Sequence, residues 1–373
     1  MHKQLYIGVM TGTSADGIDV ALSSLQDTQF QTFDSESIDF PQALKAEVKT
    51  LSSPCFNELF RAQSLGIKLS QISAILINEI LARNKLTSVD VAAIGFHGQT
   101  IRHHPEANPP FSVQIGCPST LAHETGIKTI SDFRMADIAA GGQGAPLVPA
   151  FHEAVFYSPI ESRLILNIGG IANLTLLPSN KEDAIFGFDT GPGNTLLDTW
   201  IHRHQQKDYD SNGDWARTGK LIPELLDRML QDEYLIKEMP KSTGKEYFNL
   251  EWLETYIASS NYEANDIQRT LVEFTCASIT QAIASISAAH EETPLSVYLC
   301  GGGINNSFLI ERLTHQNPKL NIKSTQDIGI HPQLVEASAF AWLAHRTLSA
   351  LPGNLKSVTG AHTDKVLGGL YLP

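Results

Sequence analysis

The feature that most constrains the fold of this chain is an apolar strand that turns sharply on glycines and returns as a second apolar strand. The pattern occurs at residues 6–22, with its turn at 12–17, and again at residues 163–177, with its turn at 169–170. Such a pattern is typical of a tight β-hairpin. Two copies about half a chain apart predict two related halves, each presenting a glycine turn to the same ligand.

The first turn has the composition of a phosphate-binding loop. Its glycines let the backbone approach a ligand closely, and Thr11, Thr13 and Ser14 add hydroxyls beside exposed N–H groups. Asp16 and Asp19 would repel a bare polyphosphate, and a hard, oxygen-ligated Mg²⁺ arriving with a nucleotide would remove that repulsion. The alternative for this turn taken alone is an ordinary hairpin with a solvated acidic turn.

Length and charge limit the class of protein. A chain of 373 residues is longer than one compact core usually holds, so two domains with a cleft between them are expected. A net charge of -13 without a Lys/Arg cluster argues against nucleic-acid binding. Four widely spaced cysteines, no secretory leader and no apolar run of membrane length predict a cytoplasmic protein with reduced thiols and no membrane contact.

Polar residues follow two short apolar strands in the first half. His97 and Gln99 come directly after residues 91–96, and the carboxyl end of a buried strand is where α/β folds place ligands. Arg134 follows another short strand and can form a bidentate contact with a carboxylate or phosphate. The alternatives are a histidine that is simply hydrogen-bonded into the structure and a surface ion pair of Asp132 with Arg134.

In the second half, Asp189 leaves the end of a strand into a turn that Gly191 and Gly193 hold open. A single carboxylate placed beside a phosphate site is a natural general base. Capping or turn formation is the alternative, although Asn194 is already placed to cap the next helix.

Two later stretches complete the set of candidates. The three glycines at 301–303 follow a buried strand and would let a flat ring lie against the backbone, which predicts an adenosine seat. Glu336 lies in the first turn of a helix at 334–344, where it either contacts a substrate or serves as a cap.

Seven stretches in chain order make the sequence similar to the anhydro-N-acetylmuramic acid kinase family, within the acetate and sugar kinase/Hsp70/actin superfamily. They are residues 10–19, 97–100, 131–134, 167–173, 188–194, 241–245 and 336–340. They span nearly the whole chain, and the Asp-Thr-Gly-Pro-Gly-Asn string is specific. Ala15 stands where the family pattern suggests Met, which removes no reactive group.

The resemblance implies an α/β fold with two related ribonuclease H-like domains and a nucleotide cleft between them, the architecture of actin-like ATPases and sugar kinases. The expected domains are residues 1–135 with the tail 346–373, and residues 136–345 with the adenosine turn. It also implies an ATP-dependent kinase that opens the 1,6-anhydro ring of its amino sugar and phosphorylates O6, in peptidoglycan recycling. Another sugar kinase of the superfamily and a noncatalytic ATP-driven module remain as alternatives.

The resemblance also implies roles for individual residues. Asp189 would be the catalytic base, Asp16 and Asp19 would hold Mg²⁺, and a homodimer is common in the family. The sugar would be bound by His97, Gln99, Arg134 and Glu336. ATP would be bound by Gly12, Thr13, Ser14, Ala15, Asp16, Gly17, Ile18, Asp19, Asn167, Gly169, Gly170, Gly301, Gly302 and Gly303.

Overall fold

The chain forms two compact units. The computed structural model describes residues 3–12, 17–27, 29–238, 241–258, 260–289 and 295–373. The first unit consists of Met1–Val155 and Leu334–Pro373, and the second of Phe156–Gln333. Each unit has an apolar core of its own.

The described residues form groups of strands separated by one or more helices. The strands are β1 (Gln4–Met10), β2 (Gly17–Gln26), β3 (Gln29–Asp39), β4 (Val91–Phe96), β5 (Gln99–His104), β6 (Phe111–Ile115), β7 (Thr129–Ser131), β8 (Ser162–Ile168), β9 (Ile171–Leu177), β10 (Phe186–Pro192), β11 (Leu295–Cys300), β12 (Asn321–Ser324) and β13 (Gly369–Tyr371). The α-helices are α1 (Gln42–Leu51), α2 (Glu58–Arg83), α3 (Pro118–Thr125), α4 (Met135–Ala139), α5 (Val148–Phe156), α6 (Thr195–Gln205), α7 (Asp214–Arg217), α8 (Pro223–Met229), α9 (Glu233–Ile236), α10 (Leu250–Ile257), α11 (Ala264–Ala289), α12 (Ser307–Gln316), α13 (Val335–Leu348) and α14 (Lys356–Thr359).

The sheet of the first unit has the strand order β13-β7-β4-β1-β2-β3. Strands β1, β2 and β3 form an antiparallel meander, β4 runs parallel to β1, and β7 runs parallel to β4. The first predicted hairpin is confirmed, with Met10 opposite Asp19 at its closed end. Because β1, β4 and β7 are parallel, the segments that follow them leave from the same edge of the sheet.

The sheet of the second unit repeats this plan with the order β10-β9-β8-β11-β12. Strands β8, β9 and β10 form the meander, and β11 and β12 continue parallel to β8. The second predicted hairpin is also confirmed. A three-strand meander followed by two parallel strands is the ribonuclease H-like arrangement, so two related α/β halves are present as the sequence predicts.

The units differ from the predicted domain boundaries in two stretches. Residues 136–155 and 334–345 were expected in the second domain, but the structure places them in the first unit. For residues 334–345 the reason is the close packing of α13 on β1 and β4. A Cβ added to Gly8 would lie 1.8 Å from the Ala337 carbonyl oxygen, and one added to Gly95 would lie 2.0 Å from that of Phe340. Only glycine allows this approach of helix to sheet.

Helix α2 is the described helix that bears on the expectation of no apolar run of membrane length. It is long and apolar enough to cross a bilayer by length and composition, the one such helix among the residues described. More than half of its most apolar window, 56%, is buried inside the protein. Leu65, Leu69, Leu76 and Ile80 of its predicted stripe lie in the core of the first unit. Its apolar face is therefore explained by packing.

Candidate active site

His97 and Arg134 meet at the edge of the first sheet where β4 and β7 end. Arg134 donates to His97 Nε2 through Nε at 3.2 Å and Nη2 at 2.9 Å, and its Nη1 donates to the Gly144 carbonyl at 2.7 Å. A guanidinium can only donate, so His97 Nε2 is an acceptor and the ring proton is on Nδ1. The predicted strand-end cluster is thus assembled, and Arg134 is not engaged in the Asp132 surface pair considered as its alternative.

Burial controls the charge of both groups. The pKa of His97 is held well below its usual range, first by burial and then by the neighbouring Arg134. Burial also lowers the pKa of Arg134 to about 10, although Glu336 and Asp137 oppose that effect. Near neutral pH the pair therefore carries one positive charge, which resides on Arg134.

Glu336 and Asp19 add two carboxylates to the same unit. Burial raises the pKa of Glu336, and the charge of Asp19 raises it further, while Arg134 lowers it. The pKa of Asp19 is raised by burial and by Asp39, against the hydrogen bond that Ser37 donates at 2.7 Å. A cation, or a ligand with many hydroxyl groups, would reduce the repulsion between these two carboxylates.

Gln99 and Thr11 tie the first turn to the end of β4. The Gln99 side chain donates to the Gly12 carbonyl at 3.3 Å, and the Thr11 hydroxyl donates to the Gly98 carbonyl at 2.6 Å. Two buried atoms here, His97 Nδ1 and Gln99 Oε1, have no hydrogen-bond partner among the described residues. Buried polar atoms without partners are what a bound polar ligand would satisfy.

The predicted nucleotide residues of this turn divide into three groups. Thr13, Ser14, Ala15 and Asp16 lie outside the described residues. Gly12 and Asp19 lie at the ends of the turn. A Cβ on Gly17 would meet the Ile38 carbonyl at 2.3 Å, and the Ile18 side chain is fully buried in the core. Structural packing therefore accounts for the residue types at Gly17 and Ile18.

Asp189 of the second unit lies at an irregularity of β10, where the register against β9 shifts between Asp189 and Gly191. Its Oδ2 accepts from the Ser242 hydroxyl at 2.9 Å and from the Thr243 backbone N–H at 3.0 Å. Its backbone carbonyl accepts from the Tyr234 hydroxyl at 2.6 Å. The carboxylate does not cap a helix, so the alternative role considered for it is not seen.

The electrostatic surroundings of Asp189 favour proton uptake. Burial raises its pKa, the hydrogen bonds from Thr243 and Ser242 lower it, and the charge of Glu246 raises it again. The net direction is upward. A half-buried carboxylate with a raised pKa has the property required of a general base that works near neutral pH.

The second glycine turn lies at the carboxyl end of β8. Gly170 accepts from the backbone N–H groups of Gly193 and Thr195, at 2.9 and 3.0 Å. A Cβ on Gly170 would lie 2.4 Å from Lys245 Cε, so this lysine side chain covers the turn. Asn194 was expected to cap α6, but its side chain donates to the Ile168 carbonyl at 3.3 Å instead.

The glycines at 301–303 follow β11, next to β8 in the sheet. Gly301 has φ of +84° and faces Asn167 Oδ1, which a Cβ would approach to 2.1 Å. A Cβ added to Gly302 would have no atom within 4 Å, so open space lies beside this residue. The predicted turns at Asn167, Gly169–Gly170 and Gly301–Gly303 therefore lie on one edge of the second sheet.

Comparisons with known proteins identify the family of this chain. A protein-family model described as anhydro-N-acetylmuramic acid kinase matches residues 4–373. The chain belongs to the anhydro-N-acetylmuramic acid kinase family. The family resemblance seen in the motifs is confirmed.

Three curated relatives carry the same description, anhydro-N-acetylmuramic acid kinase. The protein from Saccharophagus degradans is 46% identical, with 100% of both chains covered. That from Shewanella oneidensis is 44% identical over 100% of this chain and 99% of the relative. That from Coxiella burnetii is 44% identical over 100% of this chain and 98% of the relative.

Several residues of this anhydro-N-acetylmuramic acid kinase family member were missed by reasoning from the sequence. Ser242, Thr243 and Tyr234 surround Asp189, and Lys245 covers Gly170. Ser242, Thr243 and Lys245 belong to a stretch that carries the family resemblance, which was their only signal. Asp137, behind Arg134, had none beyond its nearness in sequence.

The neutral state of His97 predicts a pH dependence of stability. The pKa in the unfolded chain is near 6.5 and that of folded His97 is lower, so below pH 6.5 the unfolded state binds more protons and stability falls as pH falls. This group contributes a slope of up to about 1.4 kcal/mol per pH unit. Between pH 7 and pH 5.5, the free energy of unfolding measured with urea should fall by about 1 kcal/mol less in His97→Gln than in wild type. His123→Gln, at an exposed helical position, should retain the wild-type loss, and equal losses in all three proteins would contradict this account.

Asp137 acts on Arg134 through its charge and by binding Gly144, whose carbonyl accepts from Arg134. Its fully buried carboxylate accepts from Asn354 Nδ2 at 2.6 Å, the Thr359 hydroxyl at 2.7 Å and the Gly144 N–H at 2.8 Å. Asp137→Ala removes the acceptor of all three donors, leaves Asn354 Nδ2 only its long bond to the Thr363 carbonyl, and should destabilise the protein by about 3 kcal/mol or more. Thr359→Val removes one donor and should cost about 1–2 kcal/mol. Chemical unfolding measures whether Asp137→Ala loses more unfolding free energy than Thr359→Val. An equal loss in both variants would refute this account.

Proposed function

We propose that this chain is an ATP-dependent kinase that hydrolyses the anhydro ring of 1,6-anhydro-N-acetylmuramic acid and phosphorylates O6. The products are N-acetylmuramic acid 6-phosphate and ADP. Family membership supports the substrate, and the observation that carries the chemistry is Asp189, half-buried, with Oδ2 held by two donors and its pKa raised. A reaction that consumes water needs one such base.

Asp189 acts on the attacking water. Its carboxylate takes a proton from the water as the water oxygen bonds to C1 of the sugar. The C1–O6 bond breaks, and the electron pair stays on O6. O6 then bonds to the γ-phosphorus of ATP, the bond from the γ-phosphorus to the bridging oxygen breaks, and ADP leaves with that oxygen. The proton on Asp189 passes to solvent, which restores the base.

His97, Arg134, Glu336 and Gln99 bind the sugar in this proposal. The cationic Arg134 suits the lactyl carboxylate of a muramic acid, because a guanidinium and a carboxylate form strong charge-assisted hydrogen bonds. The unpartnered His97 Nδ1 and Gln99 Oε1 offer one donor and one acceptor for sugar polar groups. Glu336, whose pKa is raised, is a third polar contact.

ATP binds to the glycine turns in this proposal. The first turn, residues 12–19, holds phosphates, and Asn167, Gly169, Gly170 and Gly301–Gly303 hold the rest of the nucleotide. The Lys245 side chain over Gly170 and the open space beside Gly302 both suit a large anion with a flat base. Phosphoryl transfer depends mainly on positioning and charge stabilisation, which backbone turns provide.

Mg²⁺ binds with the nucleotide in this proposal, held by Asp16 and Asp19. Among the described residues no group of three or more His, Cys, Asp or Glu side chains is placed to hold a metal by itself. Asp19 does fit a hard cation, since it is an oxygen ligand whose charge is unfavourable beside Glu336. When bound, the ion neutralises phosphate charge. We propose further that the enzyme is cytoplasmic and forms a homodimer. Sedimentation of the purified protein would test the dimer.

The experiment that tests the function is product analysis in ¹⁸O-labelled water. The enzyme, ATP, Mg²⁺ and the anhydro sugar should yield ADP and a 6-phosphosugar that carries one ¹⁸O at C1 when the reaction is stopped early. Unlabelled product placed alone in labelled water measures spontaneous exchange at C1. Phosphorylation without label would instead favour another sugar kinase, and ATP turnover without sugar phosphate would favour the noncatalytic module.

A further inference from the structure

The stretch Lys241–Glu246 contacts Asp189 through Lys241, Ser242 and Thr243. Two of its donors converge on one oxygen, Oδ2, and Oδ1 accepts no hydrogen bond from any residue that the structure describes. The Asp189 backbone N–H also donates to the Lys241 carbonyl at 3.0 Å. Oδ2 is therefore held by hydrogen bonds, and Oδ1 is available to a reactant.

We infer that Ser242 is a positioning residue for Asp189, whose hydroxyl holds Oδ2 so that Oδ1 is presented to the attacking water. This inference rests on the proposed role of Asp189 as the base. The two donors come from consecutive residues, so one segment of the chain holds Oδ2 in place. The Thr243 donor belongs to the backbone, so Ser242 is the partner whose side chain can be changed without altering the chain path.

The segment is itself anchored to α9. Lys241 Nζ donates to the carbonyls of Tyr234 and Leu235 at 3.0 and 2.8 Å. The Tyr234 hydroxyl donates to the Asp189 carbonyl, which joins the helix, the segment and β10. An exposed serine held in this way can act as a fixed donor even though its own side chain is not buried.

The charged and titratable groups around Asp189 determine which way its pKa should move in the test. Glu246 raises its pKa, and the Tyr234 hydroxyl, whose own pKa is raised by burial and by Asp189, stays neutral. The Lys241 ammonium is directed at α9 carbonyls, and Lys245 covers Gly170. From α11, which packs on β10, Ser278 faces Gly191. The Ser242 hydroxyl stabilises the charged form of Asp189, so its loss moves the pKa of the carboxyl upward.

The test compares three variants of the full chain. Ser242→Ala removes the hydroxyl, Ser242→Thr keeps it, and Ser285→Ala makes the same removal at an exposed position of α11 in the same unit. The acidic limb of the kcat profile should move up by about half to one pH unit in Ser242→Ala. Ser242→Thr and Ser285→Ala should follow the wild-type profile. Because kcat is measured at saturating sugar and ATP, a defect in binding alone would not move this limb.

A second readout does not depend on activity. In protein with ¹³C-labelled aspartate carboxyls, the signal lost in Asp189→Asn identifies Asp189, and its titration midpoint should rise in Ser242→Ala by the same amount. An unchanged midpoint and an unchanged kcat limb in Ser242→Ala would overturn the inference, as would a loss of rate at every pH that Ser242→Thr does not restore. If the midpoint shifts but the enzyme opens no anhydro ring, Ser242 is still the partner of Asp189. In that case only the proposed function is refuted.

Discussion

Asp189→Asn should reduce formation of the ¹⁸O-labelled 6-phosphosugar by about 10²–10⁴-fold, because an amide cannot accept the proton of the attacking water. The amide keeps the shape of the carboxylate. Its oxygen can still accept from Ser242 and Thr243, so the strand and the segment around it should retain their structure. The loss should therefore appear in kcat, while the KM for ATP changes little. Mass spectrometry of the product in labelled water, alongside steady-state rates, measures both.

The matched control is Asp227→Asn, which makes the same change at an exposed position of α8 in the same unit. It should keep wild-type rates and label. A second control is nucleotide binding by Asp189→Asn, which calorimetry should find unchanged. If Asp189→Asn retains ring opening at near the wild-type rate, another group activates the water and the assignment of the base is wrong.

Gly8→Ala should unfold the first unit at much lower denaturant than wild type, with a cost of about 3 kcal/mol or more. The added Cβ would lie 1.8 Å from the Ala337 carbonyl oxygen and 2.6 Å from the Ala341 nitrogen. Both are backbone atoms of α13, so no side-chain rotation can relieve the clash. The helix must move away from β1, and Glu336 in its first turn moves with it.

Hydrogen exchange followed by mass spectrometry locates this effect. Peptides from β1, β4 and α13 should lose protection in Gly8→Ala, and peptides from the second unit should change less. Gly302→Ala is the control, since its Cβ would meet no atom within 4 Å, and it should leave stability within about 0.5 kcal/mol of wild type. Wild-type protection of α13 in Gly8→Ala would show that the helix is not seated as closely as the glycines indicate.

Strand-end reasoning placed His97 and Arg134 near each other, as the structure does, because the carboxyl ends of the parallel strands β4 and β7 meet at one edge of the first sheet. It could not locate Ser242, which reaches Asp189 from 53 positions along the chain and follows no regular strand. It also misjudged α13. That helix follows the second unit in sequence, yet its position depends on two glycines in β1 and β4 more than 240 residues earlier.

The repeated strand–turn–strand pattern and the types of polar residue at the strand ends could be read from the sequence, because both depend on near neighbours along the chain. The repeat established two related α/β halves, and the motifs established the family. Which oxygen of Asp189 is held, which nitrogen of His97 carries the proton and which way each pKa moves were decided only by the tertiary structure. Those properties depend on burial and on partners from distant segments, and a linear sequence contains no direct measure of either.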